Sequence, residues 1–405
     1  MILLKIAWRN IWRQRRRSII VMISVAVGIV ATLLTETLSM GMMLQMLENQ
    51  IGSHVAHIQV HRKGFESNQV VQNYLPDRAK VEKLLSQSPE IQAYSERVIS
   101  FGLISSASSS SGVTIVGIDP AREEKVTTIK RSVVEGDYLS SKRNEVIIGK
   151  GLAEKLGVGL GDKIVAMATA LDGHIGSDVF RIVGVYETFS SEFDKMYIYV
   201  PIKEAQDMLG LDGDVSEIAI ILRNRDQLGQ VQQALQGGLG SGYEVLTYPE
   251  ILPFLVLQLD LFQESMFIFY AIIGIALIFG IVNTMLMSVF ERMTEFGVLK
   301  AIGMKNGRLL VMILLEAFLL GVIGTVCGFI AGYFIYLPLS HSGVNLSMFS
   351  ASLTSFGVGA IIYPVLTVEG VLNALLIIPL IAVLGAVYPA LKAARFQPVA
   401  AIRYV

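Results

Sequence analysis

Three histidines, His54, His57 and His61, recur at intervals of three and four residues. On a helix that spacing would gather three imidazoles on one side, where they can hold a transition metal. No carboxylate or cysteine stands close in sequence to complete the set, and HIQVH alternates as a strand does, so no metal site is expected. Two glycine runs, Gly149-Lys150-Gly151 and Gly157-Val158-Gly159-Leu160-Gly161-Asp162, resemble phosphate loops. A P-loop needs a glycine five residues before its Gly-Lys, and position 144 is Asn. A short helix, a glycine stop and a turn into a strand at Lys163 account for LAEKLGVGLGDKI. No ATP site and no Ser/His/Asp or Cys/His constellation is visible, so no catalytic residue is expected. Glu36, Glu264 and Glu316 lie in or beside long apolar runs, where an acid is costly and calls for a role. Glu316 is expected to be satisfied by snorkelling or by a neighbouring donor. The roles of Glu36 and Glu264 are left open.

The stretch with the densest chemistry is Glu291 to Arg308, ERMTEFGVLKAIGMKNGR, a polar interruption between two apolar runs. Glu291 and Glu295 stand one helical turn apart at its start, and Lys300, Lys305 and Arg308 follow. Acids first and bases last suit the dipole of a helix. Gly303 and Gly307 supply turns that end the helix. Phe296, Leu299 and Ile302 recur every third residue, giving an apolar stripe that the segment cannot bury within itself. This predicts either a short docking helix or a tight solvated loop.

The elements around it follow from composition. The chain has 405 residues, is 53% hydrophobic, has a mean hydropathy of +0.57 and is only 17% charged. That describes a membrane protein with one sizeable soluble part. A net charge of −1 leaves no footprint for nucleic acid, and no such partner is expected. Residues 47–260 hold 20 Lys/Arg and 28 Asp/Glu, a net −8. The other bases fall in three clusters: Lys5 to Arg17, Arg292 to Arg308, and Lys392 to Arg403. Four apolar runs separate these clusters from the acidic block and from a loop at 341–366 without Lys or Arg. The positive-inside rule puts the N-terminus, the 291–308 loop and the C-terminus in the cytoplasm, with the large block and the 341–366 loop outside. The single cysteine, Cys327, excludes an intrachain disulfide. The external domain, about 210 residues, is long enough for its own core, in two lobes.

In order, residues 1–17 form a cytoplasmic amphipathic helix, with Leu4, Trp8, Ile11 and Trp12 on one face and bases on the others, suited to the headgroup layer. Residues 18–47 form an uncleaved first transmembrane helix, long enough to project outside as a stalk. Its methionines Met40, Met42, Met43 and Met46 suit a surface that accepts varied apolar partners. Residues 48–260 read as an α+β domain. The expected strands are His57–His61, Val113–Gly117, Glu145–Ile148, Lys163–Ala168, Phe180–Tyr186, Met196–Val200 and Glu217–Leu222. The expected helices are Arg78–Gln87, Gly151–Leu156, Ile202–Leu209 and Asp226–Gln236, and Ser105–Gly112 reads as a flexible loop. Transmembrane helices follow at 261–290, 309–337 and 371–391, with the cytoplasmic segment 291–308, an external loop 338–370 and a cytoplasmic tail 392–405 between and after them. Gly321, Gly324, Gly328 and Gly332 in the third span predict close helix packing.

AWRNIWRQRRRSIIVMISVAVGI, NTMLMSVFERMTEFGVLKAIGM and YPALKAARFQPVAAIRY resemble three signatures of the FtsX-like permeases of ABC transporters, the type VII or Mac-type fold. Their order and spacing agree over essentially the whole chain. The resemblance implies that 291–308 is a coupling helix that docks on an ATPase, with Glu291, Glu295, Gly297, Leu299, Lys300, Ala301 and Gly303 in that role. VGIDPAREEKVTTI, GDYLSSKRNEVIIGKGLAEKLGVGLGDKI and FSSEFDKMYIYVPIKEAQDML are similar to blocks of the lipoprotein-releasing branch. Macrolide-exporter permeases share the GKGLAEKLGVGLGD type of segment but usually carry a fused ATPase, which these residues do not include.

The resemblance implies a transport subunit without its own ATP site. ATP and Mg would be bound by a cytoplasmic ATPase dimer formed by separate chains, and a second permease subunit, identical or paralogous, would complete the complex. A lipoprotein would enter sideways, its acyl chains against Met40, Met42, Met43, Met46 and Leu47 and against Leu255, Leu261, Phe262, Met266 and Phe267. A periplasmic chaperone or adaptor is a further possible partner, and the expected location is the bacterial inner membrane. Two rival readings are an exporter of drugs, peptides or other amphiphiles working with an adaptor, and a signalling permease that controls a cell-wall hydrolase.

Overall fold

The computed structural model describes residues 2–140, 142–355 and 357–395, so the FQPVAAIRY end of the last signature, Arg403 included, lies outside the described residues. Two compact units emerge: Met1–Met43, Gln258–Asn345 and Ile361–Val405 form one, and Leu44–Leu257 with Leu346–Ala360 form the other.

The first unit is helical: α1 (Ile2–Arg13), α2 (Arg15–Gln50), α3 (Pro253–Glu291), α4 (Met293–Ala301), α5 (Asn306–Ser342) and α6 (Val368–Arg395). Four of these helices are long and apolar enough to cross a membrane. The 36 residues of α2 and 39 of α3 correspond to about 54 and 58 Å of helix, well beyond a hydrocarbon core of about 30 Å. Polar residues extend the helices past the apolar runs, to Gln50, to Ser342 and back to Val368, because backbone bonding does not stop where hydropathy does. The 338–370 loop is correspondingly short, and holds a two-strand pairing of Val344–Asn345 with Ile361–Ile362 and a helix at Ser350–Ser355.

Large apolar side chains point outward along these helices: Val27, Ile272, Phe279, Phe334 and Leu376 are each more than half exposed. Such a surface suits lipid, not water. Inside, the bundle closes on the glycines of α5. A Cβ on Gly328 would stand 2.7 Å from the Ala26 backbone of α2, and one on Gly321 would stand 2.9 Å from Ala382 of α6. Hydrogen in place of a side chain lets these helices meet, the packing mode of small residues in membranes.

The second unit is α+β. Its strands are β1 (Ile58–Arg62), β2 (Ile91–Ser105), β3 (Ser110–Ile118), β4 (Val133–Gly136), β5 (Glu145–Gly149), β6 (Lys163–Thr169), β7 (Ile175–Tyr186), β8 (Tyr197–Pro201), β9 (Glu217–Leu222) and β10 (Tyr243–Thr247). They form one sheet in the order β10-β1-β9-β2-β3-β8-β5-β7-β4, with β6 paired to both β2 and β7. Those last pairings close β2-β3-β8-β5-β7-β6 into a ring, so the sheet has a closed part and an open extension, β10-β1-β9. The 15-residue β2 serves both: Ile91–Arg97 pairs with β9, and Arg97–Ser105 pairs with β3. Ile104, Ile115, Val146, Ile148, Ile164, Phe180, Ile182 and Ile198 belong to one buried core.

The sequence reading missed β2 because its middle is polar: Ser95, Glu96, Arg97 and Ser100 are buried there, which breaks the apolar alternation. Likewise Ser110–Gly112, expected in a flexible loop, begins β3. Arg97 is fully buried. Its Nη2 donates to Glu123 Oε1 at 2.7 Å and its Nη1 to Glu217 Oε1 at 2.6 Å and to the His54 carbonyl at 2.5 Å. His61 Nε2 lies 3.1 Å from Glu217 Oε2. Burial alone would raise the Glu217 carboxyl, but Arg97 and His61 pull it down to about 2. His57 is engaged separately: the Leu222 amide donates to Nδ1, and Arg225 Nε lies 2.9 Å from Nε2. A neutral ring accepts at only one nitrogen, so these contacts compete. Burial and the Arg225 charge hold its pKa down at about 4. The His54 ring packs against Tyr197, 5.0 Å between centroids, and among the described residues no group of three or more metal-ligating side chains gathers.

Candidate functional site

The segment between α3 and α5 is a short helix with a joint at each end. Helix α3 stops at Glu291, and Arg292 leaves helical geometry at φ −99° and ψ 12°. Helix α4 ends at Ala301, and Gly303, at φ +99°, makes the turn toward α5. That φ is one an L side chain rarely adopts, so glycine is needed there.

The first joint is pinned from below. Arg292 is 4% exposed, and its Nη1 donates to Glu316 of α5 at 3.0 and 3.3 Å. Its guanidinium lies 5.0 Å from the Phe296 ring centroid. Glu316 therefore finds a charged partner, where the sequence suggested snorkelling or a neighbouring donor. Glu295 pairs with Arg13 of α1, and Glu291 pairs with Arg17 at the start of α2. Ser288 donates to Gln14 at 2.8 Å. Both acidic residues thus engage bases of the same chain. A signal for this was present: Arg13 and Arg17 are spaced by four, as are Glu291 and Glu295.

The remaining motif residues divide by environment. Met293 and Phe296 are 2% exposed and Gly297 is buried, while Leu299 is partly buried against the membrane-unit core. Lys300 donates to the Ala394 carbonyl of α6 at 2.7 Å, a cation at a helix C-terminus, and burial lowers its pKa. Ala301 and Gly303 are exposed at the tip with Ile302, which is 77% exposed. The expected apolar stripe is therefore split: Phe296 faces in, Leu299 sits at the boundary and Ile302 faces out. Leu3 and Ile6 of α1, with Leu299, Ile302, Gly303, Met304 and Arg308, line a groove of about 670 Å³.

A second feature is a cavity of about 380 Å³ between α2, α3 and α6. Met40, Phe262, Met266 and Phe267, four of the residues expected to meet acyl chains, line it with Tyr270. So do Glu36, Asp260, Glu264 and Glu369, and no Lys or Arg is among the described lining residues. Tyr270 donates to Glu36 at 2.7 Å, and Gly370 leaves no room for a Cβ against the Glu36 carboxylate. Aromatic and thioether walls with carboxylates complement a cation attached to an apolar body. Met42 and Met43 are half-buried on α2 and do not line the cavity, and Leu261 is 55% exposed. On the stretches of α2 after Met43 and of α3 before Gln258, which belong to the second unit, Met46 and Leu255 are half-buried and Leu47 is buried.

This arrangement, four membrane helices with an α+β insertion after the first and a short pinned helix between the second and third, matches two family models. The MacB-like periplasmic core domain matches residues 18–237, and the FtsX-like permease C-terminal domain matches residues 267–398. The chain belongs to the FtsX-like ABC transporter permeases with a MacB-like periplasmic core domain. It is similar to the lipoprotein-releasing system transmembrane protein LolC of Xylella fastidiosa, 25% identical over 307 residues, 71% of this chain and 72% of that one. It is likewise similar to the uncharacterized ABC transporter permease YvrN of Bacillus subtilis, 25% identical over 443 residues and 99% of each chain. Among solved structures, the periplasmic region of MacB from Actinobacillus actinomycetemcomitans aligns at 13% identity and a TM-score of 0.36, over 51% of this chain and 95% of that one. The chain is thus a multi-pass bacterial membrane protein of the permease class, and its family implies a partner ATPase and a second permease subunit.

Proposed function

We propose that this permease carries the stroke of a cytoplasmic ATPase dimer through its membrane helices to the α+β domain on the periplasmic side of the inner membrane. In this reading the N-terminus, α4 and the C-terminus are cytoplasmic, as the basic clusters favour. The observation that carries it is the pinned joint at Arg292. A helix whose first joint is held to α5 by a buried ion pair, and whose tip presents Ile302, Gly303 and Ala301, is built to pass a push at the tip into both neighbouring helices. ATP and Mg belong to the partner.

The substrate is a lipoprotein drawn from the outer leaflet, its acyl chains entering by the Met40, Phe262, Met266 and Phe267 wall. The likeness to LolC supports this assignment. The four carboxylates favour a second reading, export of an amphiphile with a cationic head.

Purification from membranes in mild detergent is expected to bring down an ATPase whose hydrolysis depends on the permease. Ile302→Asp should abolish that dependence, and unchanged hydrolysis in this variant would remove the coupling reading. Release of radiolabelled lipoprotein from spheroplasts separates the substrates: release that requires this chain supports the first, and its absence with retained efflux of a cationic amphiphile supports the second.

A further inference from the structure

We propose that the N-terminal helix α1 supplies half of the surface that receives the ATPase, an apolar side chain of the partner entering the groove between α1 and the α4 tip. This rests on the reading of α4 as the ATPase-coupling helix and adds to it a second helix and a specific pocket.

Three observations lead there. First, α1 has three faces and not the two of a helix that only lies on a bilayer. Ala7 and Ile11 are fully buried, and Leu4, Trp8 and Trp12, spaced by four, are each nearly half exposed on a common stripe. Leu3 and Ile6, partly buried against the same core as Ile11, also form one wall of the 670 Å³ groove whose other wall is Leu299, Ile302 and Met304. Second, α1 is tied to α4 through the Arg13–Glu295 pair, and the start of α2 is tied to Glu291 through Arg17. Force applied in the groove therefore loads both helices. Third, the groove is continuous with the exposed tip that the coupling reading assigns to the ATPase, and its size falls within the range of ligand pockets, about 300–1,000 Å³. Arg308 lines it, is exposed and has no ion-pair partner among the described residues. The occupant is thus an apolar side chain of the ATPase with a carboxylate beside it.

The test places a photo-crosslinking amino acid at Ile6 or Trp8 of the full chain in membranes that contain the copurifying ATPase. A crosslink to the ATPase from position 6 and none from position 8 is expected. In parallel, Ile6→Asp should lower ATPase copurification by about tenfold or more, as Ile302→Asp does, while Ile6→Leu restores it. If Ile302→Asp loses the ATPase but position 6 crosslinks only to lipid or to a second copy of the chain, α1 has no part in docking and the coupling reading stands. If neither variant affects copurification, the coupling reading fails and takes this inference with it. Should Ile6→Asp fail to accumulate, the crosslink at position 6 decides.

Discussion

Arg292 and Glu316 form an ion pair in which each residue is only 4% exposed, with Nη1 3.0 Å from Oε2, at the point where the membrane helix α3 gives way to α4. Two charges held out of water stabilise one another only while both are present. Arg292→Met or Glu316→Leu alone should therefore destabilise the membrane unit by about 3–5 kcal/mol. The double variant should recover most of that loss in thermal unfolding in detergent. If the joint works as proposed, the double variant will still couple hydrolysis poorly, because a greasy contact slides where a hydrogen-bonded fork does not.

The Arg13–Glu295 pair makes a different case. Its side chains are 56% and 45% exposed, so its contribution to stability is under about 1 kcal/mol and screened by salt. Glu295 Oε2 also lies 3.5 Å from Nε of the buried Arg292, so Glu295→Arg should lower the melting temperature somewhat and reduce permease-dependent ATP hydrolysis more strongly. Combining it with Arg13→Glu should restore coupling. A swap that fails to rescue would mean that Glu295 serves the partner directly.

Acid should weaken the α+β domain in two windows. The His57 ring, held to about 4 in the fold against an ordinary 6.5, takes up protons more readily when unfolded. Stability from this group is lost as pH falls from about 6.5 to about 4. Glu217, held at about 2 against an ordinary 4.5, contributes fully above 4.5 and loses its contribution as pH falls toward 2. Asp194, pushed up to about 6 by burial, works in the opposite direction: its contribution is present below 3.8 and fades as pH rises through 6. Comparing urea unfolding of the wild type with His57→Asn isolates the first window. The difference between the two curves should be flat above pH 7 and change between 6.5 and 4.

The acid-lined cavity predicts charge selectivity. Glu369→Gln together with Glu264→Gln should weaken binding of a fluorescent cationic amphiphile by about tenfold and leave an anionic analogue of equal chain length unaffected or slightly improved. Equal loss for both probes would assign the carboxylates to helix packing.

Much of the architecture was legible in the sequence. Four apolar runs of spanning length, an α+β block after the first and a polar helix after the second all rest on local composition and periodicity, and α4 with its Gly303 turn follows from short-range signals. What escaped had a common cause. The strand β2 was hidden because Ser95, Glu96 and Arg97 are polar and buried, and a polar residue reads as exposed until its partners are known. Glu291 and Glu295 read only as acids at a helix start and as coupling residues, because their partners, Arg17 and Arg13, lie more than 270 residues away in the chain.

Sequence alone determined which segments are apolar, how long they are and where charge collects, because hydrophobic burial and helix periodicity are properties of neighbouring residues. Only the tertiary structure decided that Arg292 meets Glu316, that Arg97 sits between Glu123 and Glu217, and that Leu3 and Ile6 face Leu299 across one groove. Ion pairs and cavities depend on which distant segments come within a few ångströms of each other. A chain with many charges of both signs permits far more pairings than it forms.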